Sequence, residues 1–223
     1  LSGKKGHTAT IGTGSMNDPY IPCEKRHRLT RSALEIISRH RFPVHVITKS
    51  GLVARDKDIL SEISGKSYAA VSFTVTTSDD TLARITEPGA TPPSLRFNAM
   101  EKLASAGIYT GVTMMPILPF INHRPENITE IMRMAASSGA SYVLPMFGVT
   151  LREGSRDFFY SALDKHFPGI KSRYEQTFAN RYECFSPRYA DLRDVFLQGA
   201  SRYGLSGSMR FYEPPPPAQL SMF

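Results

Sequence analysis

The feature that most constrains this chain is an alternation running through its first 150 residues. Short β-branched or apolar runs take turns with segments whose apolar residues recur at helical spacing. TATIGTG (8–14) is bounded by glycine and reads as a strand. A helix follows, with Thr30 as its cap and Ala33, Ile36, Ile37 and His40 along one face. VHVITKS (44–50) is the second strand, and a helix starting at Asp56 carries Ile59, Leu60 and Ile63 to Gly65. SYAAVSFTVTT (67–77) is the third strand. Thr91 and Pro92 then open a helix, cap first and proline in the first turn, carrying Leu95, Ala99, Leu103 and Ala106 and stopping at Gly107. YTGVTMMPIL (109–118), a helix with Ile128, Ile131, Met132 and Ala135 that stops at Gly139, and SYVLPMF (141–147) complete the series. Strands apolar on both faces belong in a parallel sheet covered by helices, at the spacing of a barrel or a doubly wound α/β fold. Helical segments near 156–166, 168–180 and 188–203 follow, and the tail with Pro214 to Pro217 reads as extended. The expected division is 1–150 for the strand–helix part, 151–207 for a helical extension and 208–223 for the tail.

Composition removes several classes. With 223 residues, 41% of them hydrophobic, the chain can bury a single core and is not disordered throughout. No run approaches the ~20 apolar residues of a membrane helix; the best, Val112 to Ile121, is broken by Pro116 and Pro119. The opening LSGKKGHTAT lacks the apolar core of a signal peptide. Cys23 and Cys184 form no disulfide framework, and Cys23 with His27, although four apart, makes no metal site from two ligands. A reducing, cytoplasmic setting and no membrane association are expected. The glycines of GTG match neither a P-loop nor G-x-G-x-x-G.

The net charge of +7 is unevenly placed. Residues 1–66 carry 12 Lys and Arg against 6 Asp and Glu, densest at Lys25, Arg26, His27, Arg28 and Arg31. Such a field attracts phosphate-bearing partners such as nucleic acid, although a solvated basic helix face gives the same composition.

In parallel α/β folds the working residues gather at the carboxyl ends of the strands. Here those ends carry Ser15, Asn17 and Asp18, then Lys49, then Thr74 and Thr76, then Pro116. A rim with one lysine, one aspartate, hydroxyls and close glycine backbone suits a small molecule bearing amino, carboxylate and ribose groups. Lys49 would pair with the carboxylate, and Asp18 or Asn17 with an ammonium or hydroxyl. Taken singly, threonines favour strands anyway and Asn-Asp-Pro is a turn. Lys49 also permits a different chemistry, a Schiff base of the aldolase kind, if desolvated. Glu87 and Arg96 place opposite charges on either side of a loop, set to pair across the rim or to stand as separate surface charges.

The runs IGTGSMNDPYIPCEKRHRLTRSALEII, VHVITKSGLVARDKDIL, VSFTVTTSDDTLARITEPGATPPSLR and GVTMMPILPFIN resemble, in order and spacing, radical S-adenosylmethionine (SAM) proteins related to spore photoproduct lyase, the DNA repair photolyases. The resemblance is close over roughly residues 8 to 150 and looser beyond. It implies a partial, TIM-like barrel of about six strand–helix units with SAM across the strand ends, about five strands being present here. It implies that the Asn17-Asp18 turn approaches the methionyl end of SAM, with Ser15 beside the cofactor, and that Lys49 reaches its carboxylate. Thr74 and Thr76 would meet its ribose or amino acid part, Pro116 would close the fourth strand end, and Glu87 with Arg96 would support the cofactor side. It also implies a 4Fe-4S cluster held by three cysteines, which reduces SAM to a 5′-deoxyadenosyl radical.

The sequence departs from that pattern in two places. The C-x-x-x-C-x-x-C motif is absent, so no metal ligands are expected in this chain. Because the chain opens on Leu1 and its first strand matches the second strand of the family, we expect a fragment lacking the cluster segment; a relative that has lost its cluster is the alternative. Where photoproduct lyases carry a hydrogen-donating cysteine stands Ser15, leaving Cys23 as the nearest thiol in sequence.

The chain ends Gln219-Leu220-Ser221-Met222-Phe223, which resembles the pentapeptide that binds the bacterial DNA sliding clamp. An extended proline tether would present Leu220, Met222 and Phe223 to an apolar groove, with Gln219 supplying hydrogen bonds. An apolar terminus folding back on its own domain is the competing expectation. The function implied is therefore a radical SAM enzyme acting on DNA or another nucleic acid. A non-enzymatic nucleic-acid or clamp adaptor on the same barrel is the first alternative, and a Lys49 aldolase the second.

Overall fold

The computed structural model describes residues 9 to 214; Thr8 and the pentapeptide Gln219 to Phe223 lie outside them. Five strands, β1 (Ile11–Thr13), β2 (Val44–Thr48), β3 (Ala69–Thr74), β4 (Tyr109–Met114) and β5 (Tyr142–Pro145), form one parallel sheet in sequential order. The expected α/β architecture is present, with each strand shorter than its apolar run. The residues beyond each strand's carboxyl end, such as Lys49 and Thr76, turn away from the ladder.

Between strands lie α1 (Glu24–His27), α2 (Leu29–Arg39), a 3-10 turn (Gly51–Asp56) leading into α3 (Lys57–Lys66), α4 (Asp80–Thr86), α5 (Pro93–Ala104) and α6 (Pro125–Ser137). Helices α1 and α4 were not expected; α4 is capped by Asp79, whose carboxylate accepts from the N–H groups of Thr81 and Leu82. The two expected caps, Thr30 and Thr91, are not caps, and Asp56 stands at the expected start of α3 without capping it through its side chain. Thr30 lies inside α2 and its hydroxyl donates to the Pro19 carbonyl. Asp56 spends its carboxylate on Tyr20, Arg31 and Arg55 instead of on α3. Thr91 precedes a helix that begins at Pro93, and accepts from the Gly51 N–H.

Register sorts the sheet into two faces. Val44, Val46, Val71, Phe73, Val112 and Val143 pack with the helices into the main core. The opposite face is not apolar: His45 Nε2 meets Ser72 Oγ at 2.7 Å, Ser72 Oγ meets the Tyr142 hydroxyl at 2.6 Å, and Thr74 and Thr113 hydroxyls pair at 2.8 Å. Two helices are rotated from the expected faces. α2 buries Leu34, Ile37 and Ser38 and exposes Ile36; α5 buries Arg96, Phe97, Met100 and Leu103 and exposes Leu95.

Beyond β5, the chain is not helical throughout. β6 (Gly148–Thr150) pairs antiparallel with β7 (Glu183–Phe185) around α7 (Ser155–His166) and α8 (Ile170–Phe178). α9 (Tyr189–Tyr203) packs on α6, contributing Leu192 and Phe196 to the main core. Ser206 then bridges Tyr142 in parallel and extends the sheet by one rung. Residues 209–212 run under the amino end of the sheet. There the Tyr109 hydroxyl accepts from the Arg210 N–H, and Tyr212 rests against Tyr68. None of the described helices is long and apolar enough to cross a membrane.

Candidate functional site

A cleft of about 370 Å³ opens at the carboxyl ends of β1 to β4, lined by Gly14, Ser15, Met16, Asp18, Ile47, Thr48, Lys49, Thr74, Thr113 and Met115. Of the residues expected there, it gathers Ser15, Asp18, Lys49 and Thr74. Asn17 is exposed on the same loop, outside the lining. Pro116 gives way to Met115. Thr76 is buried, its carbonyl accepting from the Asn122 and Asn127 side-chain amides at 2.8 and 3.1 Å.

The loop after β1 is pinned by its own aspartate. Asp18 Oδ1 accepts from Tyr20 N at 2.8 Å and Thr48 Oγ1 at 2.7 Å, and Oδ2 from Lys49 N at 2.7 Å. The Asp18 carboxylate is thereby committed to shaping the cleft wall. Lys49 reaches Glu87 Oε1 at 3.2 Å, and Glu87 Oε2 accepts from Arg96 Nη2 at 2.6 Å. Arg96 is fully buried, and its remaining donors go to the carbonyls of Thr74 (2.6 Å) and Thr91. The expected Glu87–Arg96 pairing thus exists inside the fold, behind the cleft. It links the Lys49 ammonium to the β3 end through a charge-assisted chain. With its side chain 39% exposed and an ion-pair partner, Lys49 lacks the desolvation that activates an amine for Schiff-base chemistry.

Gly14, Met16 and Thr48 lie at the strand ends where the sequence placed them, whereas Ile47, Thr113 and Met115 were not anticipated. Thr113 enters because β4 places it opposite Thr74, a pairing that no local pattern announces. A larger cavity of about 760 Å³ lies elsewhere, between α4, α6 and the α7–α8 junction. Two of its lining amides, Asn122 and Asn127, are engaged with backbone.

Cys23 is exposed at the start of α1 and lines neither the cleft nor its neighbour, whereas Cys184 is buried in β7. Among the described residues no three His, Cys, Asp or Glu side chains gather to hold a metal ion, so these residues do not fit an iron–sulfur cluster.

Two histidines give the fold a pH dependence. Burial holds the His45 imidazole below its ordinary range; burial, followed by Arg188, Arg173 and Arg124, does the same for His123, which bonds Ser186 at 2.7 Å. Below the unfolded-chain value of ~6.5 the unfolded state therefore binds protons that the folded state refuses. Denaturant titrations are expected to show a stability plateau above that pH and a decline as pH falls through the lower folded-state values. A rise in stability between pH 6.5 and 5 would contradict this.

No protein-family profile matches the chain. An uncharacterized protein of Mycobacterium tuberculosis is 27% identical over 209 residues, 93% of this chain and 60% of that protein. An uncharacterized protein of Acidianus two-tailed virus is 31% identical over 149 residues, 66% of this chain and 47% of that one. The chain thus spans about 60% of the mycobacterial relative's length. Among solved structures, spore photoproduct lyase complexed with dinucleoside spore photoproduct superposes at TM-score 0.65, with 16% identity over 90% of this chain and 60% of that enzyme. A double mutant of the enzyme, with AdoMet and the same dinucleoside bound, superposes at 0.64 and 16% identity over 88% of this chain and 58% of its own. The chain has the α/β fold of these enzymes.

Proposed function

We propose that this chain is the SAM-binding and substrate-facing portion of a radical SAM enzyme that acts on DNA or another nucleic acid. The observation that carries the reading is the strand-end cleft with the Lys49 ammonium in its wall, on the fold of an enzyme solved with AdoMet. The donor set suits the cofactor: Lys49 offers N–H donors beyond its bond to Glu87, enough to receive the methionyl carboxylate. Ser15, Thr74 and Thr113 add hydroxyls, and Met16 and Met115 add soft apolar surface. Asp18 holds the Ser15 loop against Thr48 and Lys49, and Asn17, exposed on that loop, would offer its amide to the ligand. Glu87 and Arg96 orient Lys49, and the Thr76 carbonyl, bound by Asn122 and Asn127, fixes the chain beyond β3.

A SAM held by Lys49, Ser15, Thr74 and Thr113 would supply one-electron, hydrogen-abstracting chemistry once reduced by a centre outside the described residues. The described residues carry no ligands for the reducing cluster, and we assign them no step through it. Their task is to bind and orient the cofactor and keep water from it.

Calorimetric titration of the chain with SAM is expected to give saturable binding. Lys49→Met should weaken it about tenfold or more, the worth of a charge-assisted hydrogen bond. Absence of binding by the wild-type chain, or an unchanged affinity for the variant, would overturn the assignment. The tail offers a partner reading as well. The pentapeptide Gln219 to Phe223 would be the contact for a DNA sliding clamp, while residues 205–212 run beneath the amino ends of the strands, opposite the cleft. A clamp pull-down that survives deletion of 219–223 would remove that partner.

A further inference from the structure

The basic segment after β1 divides into two kinds of cation. Arg31 is spent within the fold, on Glu35 at 3.2 Å, Asp56 at 3.3 Å and Asp58 at 2.7 Å. Arg55 is likewise held, by Asp56 and Glu24, both at 2.8 Å. Lys25, Arg26, Arg28 and Lys57 are exposed and have no ion-pair partner among the described residues. Arg28 and Lys57 stand on the rim of a cleft of about 380 Å³ whose other lining residues are Arg31, Ala54, Arg55 and Asp58. Asp58, the carboxylate in that lining, is already taken by both Nη atoms of Arg31. The cleft therefore presents free cations over a braced guanidinium floor. Arg28 sits between α1 and α2 at φ 52°, a left-handed conformation that glycine adopts more readily than arginine.

A second cleft, of about 290 Å³, lies on the other side of the same segment. Lys25 and Lys49 line it together with Ile21, Pro22 and Leu52, and it shares Asp18 and Lys49 with the strand-end cleft. Beyond the Glu87-paired Lys49, the free cations Lys25, then Arg28 and Lys57, line the two outer clefts in turn. A single small anion would use one of these clefts; a polyanion uses the series.

We propose that segment 20–31 is the track of a phosphodiester strand leading away from the strand-end cleft, with the Arg28–Lys57 cleft as its outer phosphate site. The proposal rests on the nucleic-acid reading given above. It departs from the sequence expectation by removing Arg31 from the contacts and adding Lys57.

The test is fluorescence anisotropy of a labelled single-stranded DNA with the whole chain, across a salt series. The double variant Arg28→Ala, Lys57→Ala should lose about fivefold or more in affinity near 0.1 M salt. Its log–log salt slope should fall by about 1.4, the loss of two contacts at about 0.7 each. SAM titration should be unchanged. A charge-matched variant, Arg84→Ala with Lys102→Ala on α4 and α5, should retain the wild-type slope. Equal losses in both variants, or none in the first, would overturn the track while leaving the nucleic-acid reading intact. Displacement of the DNA by inorganic pyrophosphate at equal phosphate concentration would mean a small-anion site only, and would also overturn it. Failure of the wild-type chain to bind the DNA at any salt would end both readings.

Discussion

Arg96→Met is expected to lower the unfolding free energy by about 3–5 kcal/mol, the range for removing one partner of a buried ion pair. Arg96 is fully buried, and its guanidinium serves Glu87 and the carbonyls of Thr74 and Thr91 together. Methionine fills much of the volume but leaves two buried carbonyls without their donor, at about 1–3 kcal/mol each. It also leaves the Glu87 carboxylate with Lys49 as its remaining partner. The double variant Arg96→Met, Glu87→Gln should recover part of the loss, because the stranded charge is gone. Urea titration measures both; a loss under 1 kcal/mol for the single variant would show that the network does not support the fold. Lys49 should be less well positioned in the Arg96 variant, so SAM affinity is expected to fall although Arg96 does not line the cleft.

Gly14→Ala is the second large effect. Gly14 has φ 95°, and a Cβ there would lie 2.0 Å from the carbonyl oxygen of Ile47. The obstacle is β2 backbone, which cannot swing aside as a side-chain tip would. Left-handed backbone costs about 1–2 kcal/mol for a residue with a Cβ, and overpacking adds about 1–3 kcal/mol. A loss of about 3 kcal/mol is the expected sum, read by thermal or urea unfolding. The same change should disturb the Ser15–Asp18 loop, which Gly14 brings across the end of β2 so that Asp18 can reach Thr48 and Lys49. Gly12→Ala is the matched control: no atom lies within 4 Å of a Cβ there, and its φ is not in the left-handed range, so it should change stability by no more than ~0.5 kcal/mol. Similar losses at both positions would show that β1 is simply intolerant of substitution.

These two residues also mark how far the sequence could be read. Gly14 was visible as a strand boundary but not as a contact, because the approach of Ile47 depends on pairing between β1 and β2, 33 residues apart in the ladder (Ile11 with Val44). Arg96 was visible as a charge matched to Glu87, but periodicity assigned Leu95 to the buried face of α5. Helical spacing ranks faces by hydrophobicity, and a fully hydrogen-bonded guanidinium evades that ranking. The inward-facing hydroxyls of Ser72 and Thr113, and the pairing of Thr74 with Thr113, escaped for a related reason. Ser72, Thr74 and Thr113 satisfy one another or Tyr142 across strands, so their burial follows from pairing and not from composition.

By itself the amino-acid sequence determined the order of the five strands and of the longer helices between them, the parallel α/β class and the carboxyl-end placement of Lys49, Asp18 and Thr74. Period and turn chemistry are local, and local chemistry survives without the fold. Only the tertiary structure decided which of the basic residues are free. Arg31 and Arg28 are three apart and alike in sequence, yet one is spent on three carboxylates brought from α2, the 3-10 turn and α3 while the other stands on an open rim. Charge is written in the chain, but whether a charge is available depends on which opposite charges the fold sets beside it.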